Sequence, residues 1–274
     1  MWPLDWNAGH EYLRVGRHAL ERWNDVGGVL TLGGSEALGP DAGEQAHALV
    51  PAARALYANA PGKKVTLLLE SAWLPVMSVD TGAALLSPAQ LDALVRHRFG
   101  LHHGDIRDPV SALELRIEHQ AGRRHALAYG LSPRVKQALI EAGEAIGVKW
   151  AAMLPAFGWG RGRLGPTTPR RSTAAWWVWQ EQDRLLVART ARNELVGFNP
   201  GAARLNDEAG VVRLIESEEA RLGVTTRTDS ITVALWDAPT DPKRRGERLL
   251  WQDIRGSVSQ SASAFAPARL QALT

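Results

Sequence analysis

Apolar residues dominate residues 174–198, and short polar turns interrupt them. These turns divide the stretch into three runs, Ala174–Gln180, Arg184–Thr190 and Glu194–Phe198. Both faces of the first run carry apolar side chains, including Trp177 and Trp179, and a strand with two apolar faces is covered on both sides. The stretch therefore predicts a three-stranded antiparallel meander whose first strand is buried.

The first part of the chain predicts a similar mixture of strands and helices. The expected elements are a hairpin at Tyr12–Trp23, a strand at Val26–Leu32, a loop at Ser35–Gly43, a helix at Glu44–Ala58, a buried strand at Val65–Leu69 and a strand at Trp73–Val79. Apolar residues at helical spacing indicate the helix, and the continuous apolar run at 65–69 is typical of a central strand. Because Pro75 has no N–H to donate, the strand that contains it belongs at a sheet edge.

Two Ser-Pro pairs mark the starts of further helices. Ser87-Pro88-Ala89-Gln90 combines a capping serine, a proline at the first helical position and a glutamine three residues after the cap. Ser132-Pro133 opens a second helix, which Gly147 ends. We expect a hairpin with its turn at Gln120–Arg124 before this helix and a strand at Val148–Leu154 after it.

The segment 157–173 is rich in Gly, Pro and Arg, and we interpret it as a linker between two lobes. The first lobe, 1–156, includes an inserted hairpin-helix subdomain, and the second covers 174–238. In the second lobe Asp207 caps a helix that runs to Leu222, and Ser230–Trp236 forms a strand. The remaining segment, 239–274, is basic and then rich in Ser and Ala, with a strand expected around Leu249–Trp251. This order predicts an α/β protein with mixed sheets.

Composition narrows the class of protein. A chain of 274 residues with 45% hydrophobic residues builds a substantial core, and zero cysteine excludes disulfides, thiolate metal sites and a cysteine nucleophile. The formal charge of +3 is modest, so nucleic-acid binding needs a local basic patch. The sequence has neither an apolar run of about 20 residues nor the features of a signal peptide at Met1–Trp6, and we expect a cytoplasmic location.

A glycine pattern and four arginines lie in the predicted linker. Residues 160–165 match GxGxxG, but Pro166-Thr167-Thr168-Pro169 follows where a dinucleotide site needs a helix to begin, so a linker is favoured. The arginines are candidates for binding phosphate or an acidic partner, with a solvated linker as the simpler interpretation. These candidate partner-binding residues are Arg161, Arg163, Arg170 and Arg171.

Other groups of residues invite a catalytic or metal-binding interpretation. Asp80-Thr81-Gly82 has no second copy to complete an aspartic protease pair, and a turn accounts for it. A histidine-rich group lacks metal-ligand spacing on one helical face, which favours a surface cluster; its members are His97, His102, His103 and Asp105. The sequence contains no GK[ST] motif, which excludes a P-loop enzyme. We therefore assign no catalytic residue and no metal site.

In order and spacing, the chain resembles the actin-like cytoplasmic proteins of bacterial type IV pilus and type II secretion assembly platforms (PilM-like and GspL cytoplasmic-domain-like proteins). The stretches that carry the resemblance lie mostly within residues 60–236; they are Val65–Ser71, Trp73–Val79, Leu86–Phe99, His103-Gly104-Asp105, the hairpin and the Ser132-Pro133 helix, Val148–Pro155, Trp176–Gly197 and Ser230–Trp236. The resemblance implies a two-lobed actin-like (ribonuclease H-like) α/β fold with mixed β-sheets flanked by helices.

The same resemblance implies a function. It indicates a non-catalytic scaffold that binds the cytoplasmic segments of membrane proteins and other platform components, and that is associated with the inner membrane through them. Where the family's first strand pair carries an Asp-x-Gly phosphate loop, this chain has Arg14-Val15-Gly16-Arg17, so no residue is assigned as a nucleotide ligand. We expect no cofactor. A degenerate actin-type ATPase that binds ATP and a nucleic-acid-binding module remain as alternatives, and homo-oligomerisation stays open.

Overall fold

The computed structural model describes residues 10–39, 46–58, 64–82, 86–103, 109–119, 124–164, 174–182, 184–191, 194–201, 208–224, 230–235, 249–253 and 255. The strands in these ranges are β1 (His10–Val15), β2 (Ala19–Val26), β3 (Val29–Ala37), β4 (Val65–Leu69), β5 (Val76–Asp80), β6 (Glu114–Glu118), β7 (His125–Leu131), β8 (Trp150–Pro155), β9 (Ala174–Gln180), β10 (Leu185–Ala191), β11 (Glu194–Gly201), β12 (Ser230–Leu235) and β13 (Leu249–Asp253). The α-helices are α1 (Leu49–Tyr57), α2 (Pro88–His102), α3 (Pro133–Ala145), α4 (Ala156–Leu164) and α5 (Glu208–Leu222).

The chain divides into two compact units, each assembled from separate segments. Unit 1 comprises residues 1–74, 131–165 and 254–274, and unit 2 comprises residues 75–130 and 166–253. The lobe boundaries expected from the sequence stay a prediction.

Unit 1 is built on a five-stranded sheet in the order β3-β2-β1-β4-β8. The first three strands are an antiparallel meander, and β1, β4 and β8 run parallel. Gly27 and Gly28 form the two-residue turn between β2 and β3, and both have positive φ, which glycine adopts without strain. The β4 side chains Val65, Leu67 and Leu68 are fully buried, which confirms the predicted central strand.

Unit 2 repeats this arrangement in a second five-stranded sheet, with the order β11-β10-β9-β12-β13. Here β9 to β11 are the antiparallel meander, and β9, β12 and β13 run parallel. The meander predicted from the sequence is confirmed, and Trp177 and Trp179 are buried with the rest of β9. On one face, Trp176 and Val178 pack with Val211 and Ile215 of α5.

A smaller sheet of unit 2 has the order β5-β7-β6 and is covered by α2. Val95 and Phe99 of α2 pack with Met77 and Val79 of β5. The predicted capping box is confirmed, since Ser87 Oγ accepts from the backbone N–H of Gln90 and the Gln90 side chain accepts from that of Ser87. Among the described residues β5 is an edge strand of this sheet, as predicted, but it begins at Val76, so Pro75 precedes the strand rather than lying in it.

Three local predictions are wrong. Residues 156–164 form α4, where we expected the predicted linker to begin, and 165–173 lie outside the described residues. The helix forms because long-range contacts stabilise it: the Trp159 ring lies 4.9 Å from that of Tyr12, and Arg163 pairs with Asp25. The strand β3 continues to Ala37 through part of the expected loop, and Trp73 lies in a turn before β5 rather than in the strand.

Candidate functional site

The candidate site lies at the edge of the unit 1 sheet where three parallel strands end together. Val15 of β1, Leu69 of β4 and Pro155 of β8 are neighbours in register at this edge. Ligands of open α/β sheets bind beyond the carboxyl ends of the strands. The residues just before and after these ends therefore decide what the edge can bind.

A buried ion-pair cluster occupies this edge. The Arg14 guanidinium donates to Glu21 Oε2 through Nη1 at 2.9 Å and to Glu70 Oε1 through Nη2. The side chains of Arg14 and Glu70 are only 4% and 1% exposed. Burial alone would lower the pKa of Arg14, but the carboxylates of Glu70 and Glu21 outweigh this and raise the pKa above its ordinary value. The guanidinium is thus charged and held between two acidic groups.

Trp73 closes the same edge from the turn after β4. Its indole Nε1 donates to the Gly16 carbonyl at 2.8 Å, and the ring is buried. The backbone N–H of Gly16 donates to the Ala19 carbonyl at 3.0 Å, and that of Glu70 donates to the Val15 carbonyl at 3.1 Å. These backbone donors, which a phosphate would use, are engaged within the protein.

The chemistry of this cluster is unlike that of a phosphate site. Arg14-Val15-Gly16-Arg17 spans the end of β1 and the turn to β2, as expected for the position of the first phosphate loop. Its cation is already neutralised, and two carboxylates beside it repel an anion. The arrangement binds the ends of β1 and β4 together.

The structure places two of the four predicted partner-binding arginines. Arg163 is buried on α4, where its Nη1 donates to Asp25 Oδ2 at 2.6 Å and its Nη2 donates to the Gly28 carbonyl. Arg161 is half-buried on the same helix. Arg170 and Arg171 lie outside the described residues. Arg163 therefore fixes α4 to the β2–β3 turn, and partner binding by the four arginines stays a prediction.

The Asp80-Thr81-Gly82 tripeptide forms the turn that the sequence predicts. Asp80 Oδ1 accepts from the Gly82 N–H at 2.8 Å, and Thr81 Oγ1 donates to the Arg124 carbonyl at 2.8 Å. The Arg124 guanidinium donates to both Asp80 oxygens. Its hydrogen bonds are the main cause that lowers the pKa of Asp80 to about 2. The Asp80 carboxylate is therefore already hydrogen-bonded within this turn of unit 2.

The remaining candidates are placed as follows. His97 and His102 are exposed on α2, His103 packs on the Phe99 ring at 4.9 Å, and Asp105 lies outside the described residues. Within the described ranges, no group of three or more His, Cys, Asp or Glu side chains is placed to hold a metal ion. Gly160 and Gly162 are inside α4, so the GxGxxG pattern does not form a loop ahead of a helix. In the same part of the chain, no helix is long and apolar enough to cross a membrane.

Several solved structures are similar to this chain in fold. The chain is similar to the cytoplasmic domain of EpsL, an inner membrane component of the type II secretion system of Vibrio cholerae, at 14% identity and a TM-score of 0.51, over 90% of this chain and 91% of that one. It is similar to the PilM–PilN type IV pilus biogenesis complex at 11% identity and a TM-score of 0.56, over 90% and 89% of the chains.

A third similar structure is a Bacteroides thetaiotaomicron protein with an actin-like ATPase fold and unknown function, at 10% identity and a TM-score of 0.52, over 92% and 94% of the chains. No family model and no curated protein matches the sequence. Together with the strand order repeated in units 1 and 2, these likenesses show that the chain has the actin-like α/β fold.

Sequence reasoning missed the cluster at the sheet edge. Glu21, Glu70 and Trp73 were not candidates, and Arg14 was noted only as part of an altered loop. The available signal was a single charged residue inside or directly after an apolar strand, as in Tyr-Leu-Arg-Val at 12–15 and Leu-Leu-Leu-Glu at 67–70. Such a residue is buried only when it is paired.

Proposed function

We propose that the protein is a non-catalytic scaffold of an inner-membrane assembly platform, of the pilus or type II secretion kind, and that it binds the cytoplasmic segments of membrane proteins. The observation that carries this proposal is the fold likeness to the EpsL cytoplasmic domain and to the PilM–PilN complex, which extends over about nine tenths of each chain. On this proposal the protein is cytoplasmic and is held at the inner membrane by its partners.

The buried cluster at the carboxyl edge of unit 1 supports the non-catalytic part of the proposal. Arg14 pairs with Glu70, and the Trp73 indole donates to the Gly16 carbonyl, so these side chains bind the edge to itself and contribute to its stability. Removing a group from such a buried cluster leaves its partners unsatisfied, which makes the cluster a poor place for exchange with a ligand.

An actin-type ATPase is the second candidate, because one similar structure has an actin-like ATPase fold. It requires a phosphate site at an edge that the Arg14 cluster fills. Nucleic-acid binding has less support, since Arg163 of the Arg-rich segment forms an ion pair with Asp25 inside the protein. Salt-sensitive retention of nucleic acid by the intact protein, lost when Arg161, Arg170 and Arg171 are changed to Ala, would favour that function instead.

The scaffold proposal is tested by a pull-down with the full chain as prey. The baits are synthetic cytoplasmic segments of the inner-membrane proteins encoded beside this one, and each is matched by a scrambled peptide of the same composition. We expect at least one native segment to retain the protein and its scrambled partner not to. Retention by no segment, from protein that gives a cooperative unfolding transition, contradicts the proposal.

A further inference from the structure

The sequence of α4 does not favour a helix. Three of its nine residues are glycines, Gly158, Gly160 and Gly162. Each glycine lowers the population of a helix about fivefold relative to alanine, and the three together lower it about a hundredfold. A helix of nine residues is also too short to be stable alone in water. The helical state of α4 therefore depends on the surface against which it packs.

That surface is the face of the unit 1 sheet that carries Tyr12 and Asp25. The Trp159 ring lies 4.9 Å from the Tyr12 ring, and the Arg163 guanidinium donates to Asp25 Oδ2 at 2.6 Å and to the Gly28 carbonyl. Trp159 and Arg163 are one helical turn apart, and the guanidinium carbon lies 5.4 Å from the centre of the Trp159 ring. Tyr12 and Asp25 are each only 8% exposed beneath these contacts.

The two ends of α4 are held differently. At its start, Ala156 follows directly on Pro155 of β8, which is paired with β4, and both Ala156 and Phe157 are buried. Toward its end, Arg161 and Gly162 are half-buried, and the ion pair of Arg163 ties this part to the β2–β3 turn. Opening of the helix is therefore expected to begin at its carboxyl end, while β8 keeps its start in place.

The sheet has support of its own on the opposite face. Leu13 of β1 and Leu67 of β4 are neighbours in register, and both are buried. They lie on the face opposite to that of Tyr12, because side chains alternate along a strand. On the Leu13 face, the Arg22 side chain of β2 donates to the Leu56 carbonyl of α1 at 3.4 Å. The strand ladder and this side of the core do not require α4.

We infer that residues 159–164 form a strap that opens and closes on the unit 1 sheet while the sheet stays folded, and that its opening exposes Tyr12 and the Asp25 carboxylate. The glycines favour the open state, and the contacts of Trp159 and Arg163 favour the closed state. Segments of low local stability open in this way within folded proteins. The inference does not depend on the scaffold function.

Hydrogen exchange of the full chain in its native state, measured at increasing urea below the unfolding transition, tests the strap. The backbone amides at 160–163 of α4 should be protected at least tenfold less than those of β4. Their exchange should depend little on urea, because opening the strap exposes little surface, whereas β4 should exchange only through global unfolding, with a steep urea dependence. Equal protection and equal urea dependence in the two elements overturn the inference.

Leu67→Ala separates the two kinds of opening. It removes buried atoms on the sheet face away from α4, so it destabilises the closed and open strap states equally against the unfolded chain. Protection in β4 should fall about thirtyfold or more, and protection in α4 should not change. Leu101→Ala, an exposed leucine shortened in the same way, should leave both unchanged. An equal fall in α4 overturns the inference, and if Leu67→Ala does not fold, the urea dependence of the parent protein decides.

Discussion

The Arg14 side chain at the end of β1 forms a buried ion pair with Glu70, which directly follows β4. The two residues are 56 positions apart in sequence, and their strands are parallel neighbours in the sheet. The pair therefore links two parallel strands of the unit 1 sheet at their carboxyl ends.

Arg14→Met should be strongly destabilising. The change leaves Glu70 and Glu21 beside each other without a cation, and breaking a buried pair costs about 3–5 kcal/mol of unfolding free energy. Urea denaturation of the variant and the parent protein measures the loss. A double variant with Glu70→Gln should lose less than the sum of the single changes, because the two residues interact directly.

The matched control for this prediction is Asp92→Asn, which breaks an ion pair with Arg96 on the outer part of α2, where both side chains are substantially exposed. Its effect should stay within about 0.5 kcal/mol. Equal losses of unfolding free energy in Asp92→Asn and Arg14→Met would show that the buried Arg14 pair stabilises the protein no more than the exposed pair does.

Arg163→Met should destabilise the protein far more than Arg161→Met. Asp25 keeps its bond from the Gly28 N–H but loses the guanidinium, and a buried carboxylate without its cation costs about 3–5 kcal/mol. Arg161 is half-buried on the same helix and is the nearest matched residue. Thermal unfolding of both variants compares them, and a Tm in Arg163→Met equal to that of the parent would contradict the ion-pair role.

Trp179→Ala should lower stability without changing any ligand affinity of the folded protein. The side chain is buried on β9, the central strand of the larger unit 2 sheet, and truncating a buried tryptophan costs about 3–5 kcal/mol. Leu101→Ala, at a position 65% exposed on α2, is the control and should change stability by less than about 0.5 kcal/mol. An unchanged Tm in Trp179→Ala would show that the burial of this strand is misassigned.

Arg124→Met should raise the pKa of Asp80, because the hydrogen bonds of the guanidinium are the main cause that holds it near 2. A lowered carboxyl pKa stabilises the fold above the unfolded value of about 3.9, and that stabilisation is lost as pH falls from there toward 2. The pair is solvent-exposed and screened by water, so the loss of stability at pH 7 should be small. NMR titration of the Asp80 carboxyl in both proteins checks the shift, and an unchanged midpoint would disprove the assigned cause.

Local signals predicted most of the strands and four of the five α-helices in the described residues. The capping box at Ser87, the Ser132-Pro133 start and the two-faced apolar run of β9 each depend on residues close in sequence, and the structure has all three elements. The similar order of strands and helices in the two halves of the chain could also be predicted, because it follows from the same local signals.

The contacts that shape unit 1 join residues far apart in the chain and could not be predicted in this way. Gly158, Gly160 and Gly162 each disfavour a helix by about 1 kcal/mol, so the sequence indicates a loop at 157–173. The helix forms at 156–164 because Trp159 packs on Tyr12 and Arg163 reaches Asp25, which is 138 residues away. Tertiary contacts outweigh local propensity there, as they do at the Arg14–Glu70 pair.

The most direct test of the non-catalytic scaffold is a calorimetric titration of the full chain with Mg-ATP, followed by an assay for released phosphate. Because Arg14, Glu70 and Trp73 fill the sheet edge, we expect no saturable heat up to roughly 1 mM ATP, which limits any binding to weaker than about −4 kcal/mol, and no turnover. Saturable binding with a micromolar Kd together with phosphate release would contradict the account and identify the protein as an actin-type ATPase.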